Sequence, residues 1–258
     1  MFQLSYAQTS RGTIKKINED AFLKMPNHGI WAVADGMGGH PAGDVASQLI
    51  VDDLENVVNA THIHELNCQV ILDSLQNSNE KLLILAEEEF PGMSVGSTIV
   101  ILFIKDGMFS ILWGGDSRAY LFRGKKLKRL TKDHTQINEM IDNGMLDPSD
   151  VEDHPLEHVI TSAVGVFCDL NIEVVKHALQ ENDIFLLCSD GLTKEMTDVD
   201  IGLILLHSIS IVDSGMALMH ASLVRNARDN VTCVLVKYES GITISLESNI
   251  NGIMPLRL

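Results

Sequence analysis

Cysteine is scarce in this 258-residue chain: four residues, at 68, 168, 188 and 233, too dispersed to form a C-x-x-C pair. That spacing excludes a paired-cysteine zinc site and a disulfide-knit scaffold, and it points to a reducing cytoplasm. Long apolar runs are missing too: no stretch reaches the roughly 18 uninterrupted apolar residues of a membrane-spanning helix. Residues Met1 to Tyr6 carry neither a basic segment nor an extended apolar one, so no secretory signal is read there. Basic residues are few, with 19 Lys+Arg against 35 Asp+Glu and a formal net charge of −16. Such a chain repels phosphate backbones and anionic lipid, which argues against nucleic-acid and membrane partners. The acid excess serves solubility; alternatively, part of it is a set of carboxylates that await cations.

What is present reads as a globular protein. Hydrophobic residues make up 45% and charged residues 21%, enough apolar material for a core. No repeat, low-complexity tract or linker divides the sequence, so a single domain over 1–240 is expected, followed by a tail, 241–258, with no readable role. Apolar runs at Ile30–Ala34, Thr98–Ile104, Met108–Trp113, Ala119–Phe122, Ile184–Cys188 and Val231–Val236 predict strands. Several are continuous rather than alternating, as in strands covered on both faces. Asp106-Gly107 between two of them is a two-residue hairpin turn. Helical spacing follows Pro41 (Ala46, Ile50, Leu54, Val57), recurs within 66–89 (Leu66, Val70, Leu75, Leu82, Leu85), and begins again near Asp213 as a cap (Ala217, Ala221, Val224). The polar segment 133–155 reads as a short-helix excursion over the surface. Strands in hairpin succession with helices between groups predict an α+β layered domain.

Several matches to catalytic motifs fail in context. Gly92-Met93-Ser94-Val95-Gly96 fits G-x-S-x-G, but an acidic stretch precedes it and a strand follows, the reverse of a nucleophile elbow. Gly36-Met37-Gly38-Gly39-His40-Pro41 resembles a dinucleotide loop with Pro at the third glycine position. No cysteine has the Arg six residues later that a cysteine phosphatase needs; Cys188 has Lys194 there.

Aspartates stand out instead. Asp35 and Asp190 each end an apolar run and precede Gly; Asp116 follows Trp113-Gly114-Gly115; Asp229 sits just before the strand at Val231; Asp20 closes Asn18-Glu19-Asp20. One Asp-Gly at a strand end is a turn. Several at strand ends of one domain converge on one rim of a sheet. Two carboxylates at roughly 4 Å repel by about 4 kcal/mol at an effective dielectric near 20, and these motifs contain few Lys or Arg. Hard divalent cations with an all-oxygen shell, Mg²⁺ or Mn²⁺, answer that repulsion.

At these residues the sequence resembles the metal-dependent protein phosphatases (PPM, type 2C Ser/Thr phosphatases), in particular their compact bacterial members. The resemblance spans roughly residues 5–238 and rests on seven blocks in the family's order: Asn18-Glu19-Asp20-Ala21, Val33 to Gly39, Gly96-Ser97-Thr98, Gly115 to Tyr120, Leu130 to His134, Ser189 to Leu192, and Asp229 to Thr232. It implies a four-layer α/β/β/α sandwich of two mainly antiparallel sheets with a centre of two Mn²⁺ or Mg²⁺ ions, and a looser third. By resemblance, Asp35 bridges the two ions, the Gly36 carbonyl binds one, Asp190 and Asp229 bind the other, Asp20 holds metal-bound water, and Asp116 with Asp190 forms the third site. His40, five residues after Asp35, is either the proton donor to the leaving oxygen or an orienting hydrogen bond. Segment 135–155 matches the family's flap beside the site.

One position departs from the pattern. Five residues before Asp20, where the family places an Arg to grip phosphate, this chain has Lys15, a point charge without the planar fork; Lys16 and Arg11 are the other cations nearby. The resemblance therefore implies a cytoplasmic, monomeric enzyme that removes phosphate from serine and threonine of proteins marked by a bacterial Ser/Thr kinase. The alternative is a pseudo-phosphatase that binds phosphoproteins and turns over weakly.

Overall fold

The computed structural model describes residues 2–38, 42–151, 154–156 and 159–239. His40 and the tail 241–258 lie outside the described residues. In chain order the elements are β1 (Phe2–Ser10), β2 (Asp20–Met25), β3 (Ile30–Met37), α1 (Ala42–Ala60), α2 (Cys68–Glu89), β4 (Gly96–Ser97), β5 (Ile99–Lys105), β6 (Met108–Gly114), β7 (Arg118–Arg123), β8 (Lys126–Arg129), α3 (Gln136–Asp142), β9 (Glu173–Ala178), β10 (Ile184–Cys188), α4 (Asp190–Thr193), α5 (Asp198–His207), α6 (Ile211–Val224) and β11 (Val231–Glu239).

The strands form two sheets, β1-β11-β10-β7-β8 and β2-β3-β5-β6-β9, with β4 appended to β3. All the pairings are antiparallel. The sheets pack face to face through Trp31, Val33, Val100, Leu102, Phe109 and Ile111 on one side and Leu121, Phe185, Leu187, Val234 and Val236 on the other. Helices α1 and α2 cover the outer face of the second sheet, and α5 and α6 cover that of the first. This α/β/β/α stack explains the continuous apolar runs, since strands buried on both faces have no polar side to show. The Asp106-Gly107 turn is a hairpin with both residues at positive φ (51° and 72°), joining Lys105 to its partner Met108.

Other expectations need correction. Val57 is not on the buried face of α1; Val58 is, and Leu66 precedes α2, whose buried apolar positions are Ile71, Leu75 and Leu82. Asp213 does not cap α6: Ser210 does, accepting from the Asp213 N–H at 3.1 Å. The helix runs through Ala217, Ala221 and Val224 as expected; its buried apolar positions are Ile211, Leu218 and Met219, with Ala221 packed beside them and Val224 exposed. The segment after Asp133 is a surface excursion as expected, with α3 capped by Thr135 and anchored by the buried Ile137.

Candidate metal centre

Antiparallel pairing of β2 with β3 sets Asp20 directly opposite Asp35. The next residue, Gly36, passes between the backbones of Glu19 and Gly43, where a β-carbon would overlap the Gly43 carbonyl oxygen. From the other sheet, β10 ends at Cys188 and delivers Asp190 to the first turn of α4, and β11 begins just after Asp229. Gly191 permits that approach, because a β-carbon there would overlap the Asn230 carbonyl oxygen. Asn230 locks the rim: its side chain donates to the carbonyls of Arg11 and Ile17 at 3.2 and 3.0 Å and accepts from the Glu19 N–H at 2.9 Å.

Two hollows meet at Asp116 and Asp190. One, about 320 Å³, is lined by Lys15, Glu19, Asp35, Gly36, Thr98, Asp229 and Asn230 besides. The other, about 490 Å³, is walled by Arg118, Arg129, Asp133, Lys194 and, from the flap, Ile137, Asn138 and Val151. Strand ends of both sheets thus bring Asp20, Asp35, Asp116, Asp190 and Asp229 to one cleft. Asp20 is buried, and its Oδ2 accepts from Ser189 Oγ (2.8 Å) and Thr232 Oγ1 (2.6 Å). The Thr98 hydroxyl accepts from the Asp35 N–H at 3.3 Å and shares a hydrogen bond with Ser117 at 2.7 Å. On the far wall, Arg118 grips Asp133 with both Nε (3.1 Å) and Nη2 (2.7 Å), and Arg129 adds a contact at 3.3 Å.

The expectation that cations are few at these motifs is wrong. Lys194 Nζ lies 2.6 Å from Asp190 Oδ2 and 2.9 Å from Asp229 Oδ2. Lys15 Nζ lies 2.9 Å from Asp229 Oδ1 and 3.7 Å from Glu19 Oε2. Lys194 was legible as a partner of Asp190 from i,i+4 spacing across one helical turn. Among the described residues no three His, Cys, Asp or Glu are gathered tightly enough to clasp an ion as they stand. The ammonium groups of Lys15 and Lys194 stand among the carboxylates.

The donor set nonetheless fits a hard divalent cation. Asp20 Oδ1 and Asp190 Oδ1 are buried with no hydrogen-bond donor, a costly state that a cation relieves. Asp35 lies opposite Asp20 across the β2–β3 pair, and the Asp20 charge helps raise its affinity for a proton. Among the described residues no His or Cys lines either hollow, so those residues offer a cation oxygen ligands.

The protein phosphatase 2C family profile matches residues 7–231. The chain belongs to the protein phosphatase 2C family. It is 31% identical over 236 residues to a Listeria welshimeri protein named serine/threonine phosphatase stp, covering 89% of this chain and 94% of that one. Its fold matches PppA, a regulatory component of the type VI secretion system in Pseudomonas aeruginosa, with a TM-score of 0.82, 35% identity and 92% and 99% coverage. It likewise matches the catalytic domain of the serine/threonine phosphatase PstP in complex with two manganese ions (TM-score 0.79, 28% identity, 92% and 99% coverage). The protein phosphatase 2C fold is therefore the α+β sandwich seen here, and no helix among the described residues is long and apolar enough to cross a membrane.

In this phosphatase the cleft's electrostatics follow from burial and crowding. Burial first, then the neighbouring Asp190, pushes Asp20 up to about 7 against the pull of its two hydroxyl donors. Asp116 rises to about 7 through burial, Asp190 and Asp133. Asp35 is raised well above the ordinary range by burial and by Asp20, Asp190, Asp116 and Asp229. Asp229 goes the other way, to about 2: burial opposes the shift, but hydrogen bonds from Lys15 and Lys194 outweigh it. Between about pH 4 and pH 7 the metal-free fold thus keeps protons on Asp20 and Asp116 that the unfolded chain has released, so these groups cost stability as pH rises through that window. The Asp229 contribution is present above about pH 4 and is lost as pH falls towards 2. The EDTA-treated protein should therefore melt higher at pH 5.5 than at pH 7.5, and Mn²⁺ should raise the melting temperature more at pH 7.5. A metal-free melting temperature that climbs from pH 5.5 to 7.5 would contradict this charge distribution.

Proposed function

We propose that this chain hydrolyses phosphoserine and phosphothreonine esters of proteins with two divalent ions, Mn²⁺ or Mg²⁺, held by Asp35, the Gly36 carbonyl, Asp190 and Asp229, with Asp116 and Asp190 able to hold a third. The observation that carries this reading is the pair of buried, donorless carboxylate oxygens in a cleft with three further aspartates. When bound there, the ions supply charge neutralisation at phosphorus and a water acidic enough to attack it in line.

The chain's own residues do the rest. Asp35, paired across β2 and β3 with Asp20, fixes the spacing of the site. Ser189 and Thr232 hold Asp20 on one oxygen and leave the other to orient attacking water. Lys15 stands at the mouth of the smaller hollow, where its ammonium meets a substrate phosphate oxygen as a point charge. His40 is placed by sequence to return a proton to the leaving alkoxide. No side-chain nucleophile is required, so no phospho-enzyme forms. The substrates are phosphoproteins of a Ser/Thr kinase system, and the enzyme acts as a monomer.

Phosphate release from a phosphothreonine peptide tests this. Turnover should require Mn²⁺, stop with EDTA and collapse in Asp190→Asn. A folded protein that binds Mn²⁺ but releases no phosphate would instead favour the phosphoprotein-binding regulator, a reading that the intact aspartate set disfavours. Lys15→Arg should raise kcat/KM about tenfold, the value of one added charged hydrogen bond at the phosphate.

A further inference from the structure

We propose that the open edge of the sandwich, between β8 and β9, is a binding site for a small organic anion with an apolar body. It lies far from the aspartate cleft. Strand β6 runs from Phe109 at this edge towards Asp116, about 20 Å away at roughly 3.3 Å per residue. The proposal is independent of the phosphatase reading.

Elsewhere the inner faces of the two sheets meet in apolar contact. At this edge they do not close, leaving a hollow of about 570 Å³ floored by Phe109, Leu121 and Leu130. Cross-strand register explains its rim. Leu121 pairs with Lys128 and Arg123 with Lys126, and paired residues share a face, so both lysines lie on the inner side of β8. From the opposite sheet His177, paired with Phe109, packs against that ring at a centroid distance of 5.7 Å.

The charge here runs against the rest of the molecule. In a chain of net charge −16, the run 123–132 (RGKKLKRLTK) holds six of the 19 Lys+Arg and no acid. Among the described residues the lining contains Arg123, Lys126, Lys128 and His177 and no carboxylate. Arg123 is already committed to the buried Asp183 at 2.7 and 2.6 Å. Lys126 and Lys128 make no ion pair among the described residues. Inward lysines on an edge strand also deter edge-to-edge pairing, but that role needs only their charge. It does not need a preformed hollow with an aromatic floor, in the size range of about 300–1,000 Å³ typical of small-molecule sites. Apolar floor and unpaired cationic rim together select a ligand with an anionic head and an apolar body.

Fluorescence titration of the full chain with 1-anilinonaphthalene-8-sulfonate tests the site. Saturable one-to-one binding is expected, weakened at least tenfold in Lys126→Glu/Lys128→Glu and unchanged in the charge-matched control Lys16→Glu/Lys24→Glu, at two exposed lysines, all with unaltered melting temperatures. Displacement by decanoate identifies an aliphatic body, and displacement by adenosine monophosphate a planar one. Binding equally strong in the Lys126/Lys128 variant, or equally weakened in the control, overturns the proposal, as does failure of the dye to bind the folded protein.

Discussion

An Asp35→Asn variant is expected to lose phosphatase activity by about 10³-fold or more, the scale of the several kcal/mol that bound metal contributes, while its metal-free form melts higher than the unaltered protein. Both effects have one cause. Asp35 faces Asp20 across the β2–β3 pair and shares its hollow with Asp116, Asp190 and Asp229. Each close carboxylate pair costs about 4 kcal/mol before relaxation at an effective dielectric near 20, and part of that cost is already avoided by protonation, which is why Asp35 is raised so far. Asparagine keeps the shape and the backbone ties, the Asp35 N–H to Thr98 Oγ1 at 3.3 Å and the Asp35 carbonyl to the Thr98 N–H at 2.9 Å. It removes the charge and turns one acceptor oxygen into an amide donor. If 1–2 kcal/mol of repulsion is relieved, the gain in melting temperature is about 4 °C, at roughly 2–4 °C per kcal/mol for a domain of this size. Melting curves in EDTA and in Mn²⁺, beside phosphate release, read both effects. A metal-free variant that melts lower would mean that Asp35 is structural rather than a strained ligand.

The same trade between stability and site explains what the sequence made legible. The aspartates were readable because each sits at or beside an end of an apolar strand, Asp35, Asp116 and Asp190 near or just after its finish and Asp20 and Asp229 at or before its start, and a carboxylate next to a buried strand end needs a reason. The central strands were readable because burial on both faces leaves no polar residue to interrupt them. The outer elements were not. In β9 five of six residues are exposed and one is half-buried, and β8 alternates exposed with half-buried positions, so neither produces a run. Strand β1, FQLSYAQTS, is polar enough to pass for a loop and is held by nine paired residues along β11. Helix α5 is apolar at both buried and exposed positions, with Val199 and Leu203 facing out, so no periodicity marks it. The polar supports of the site, Ser189 and Thr232 on Asp20 and Asp133 between two arginines, depend on contacts as far as 212 residues apart in sequence. No local pattern encodes those. Lys194 is the exception, since its spacing from Asp190 was available and a count of nearby cations within the motifs alone passed over it.

Lys194 also provides the second test, with signs opposite to the first. Lys15 and Lys194 together occupy three of the four carboxylate oxygens of Asp190 and Asp229, and the fourth, Asp190 Oδ1, is buried without a donor. On the proposed assignment those same oxygens must face the ions, so loading the site requires the Lys194 ammonium to move away. Lys194→Met keeps most of the stem and deletes the charge. The metal-free protein should then lose stability, because Asp190 loses its ammonium partner and Lys15 on Asp229 is the counter-charge that remains for the pair. A charged hydrogen bond is worth about 1.5–3 kcal/mol, and with the side chain 36% exposed solvent screening puts this pair at the low end. Mn²⁺ affinity should rise about tenfold for each 1.4 kcal/mol of competition removed. Calorimetric titration with Mn²⁺ and metal-free melting separate the two readouts. A variant that binds Mn²⁺ more weakly would show that Lys194 supports the loaded site, and would sink the view that it competes for the ligands. The pair of variants is then diagnostic: removing a negative charge should stabilise the empty fold and weaken metal binding, and removing the positive charge beside it should do the reverse.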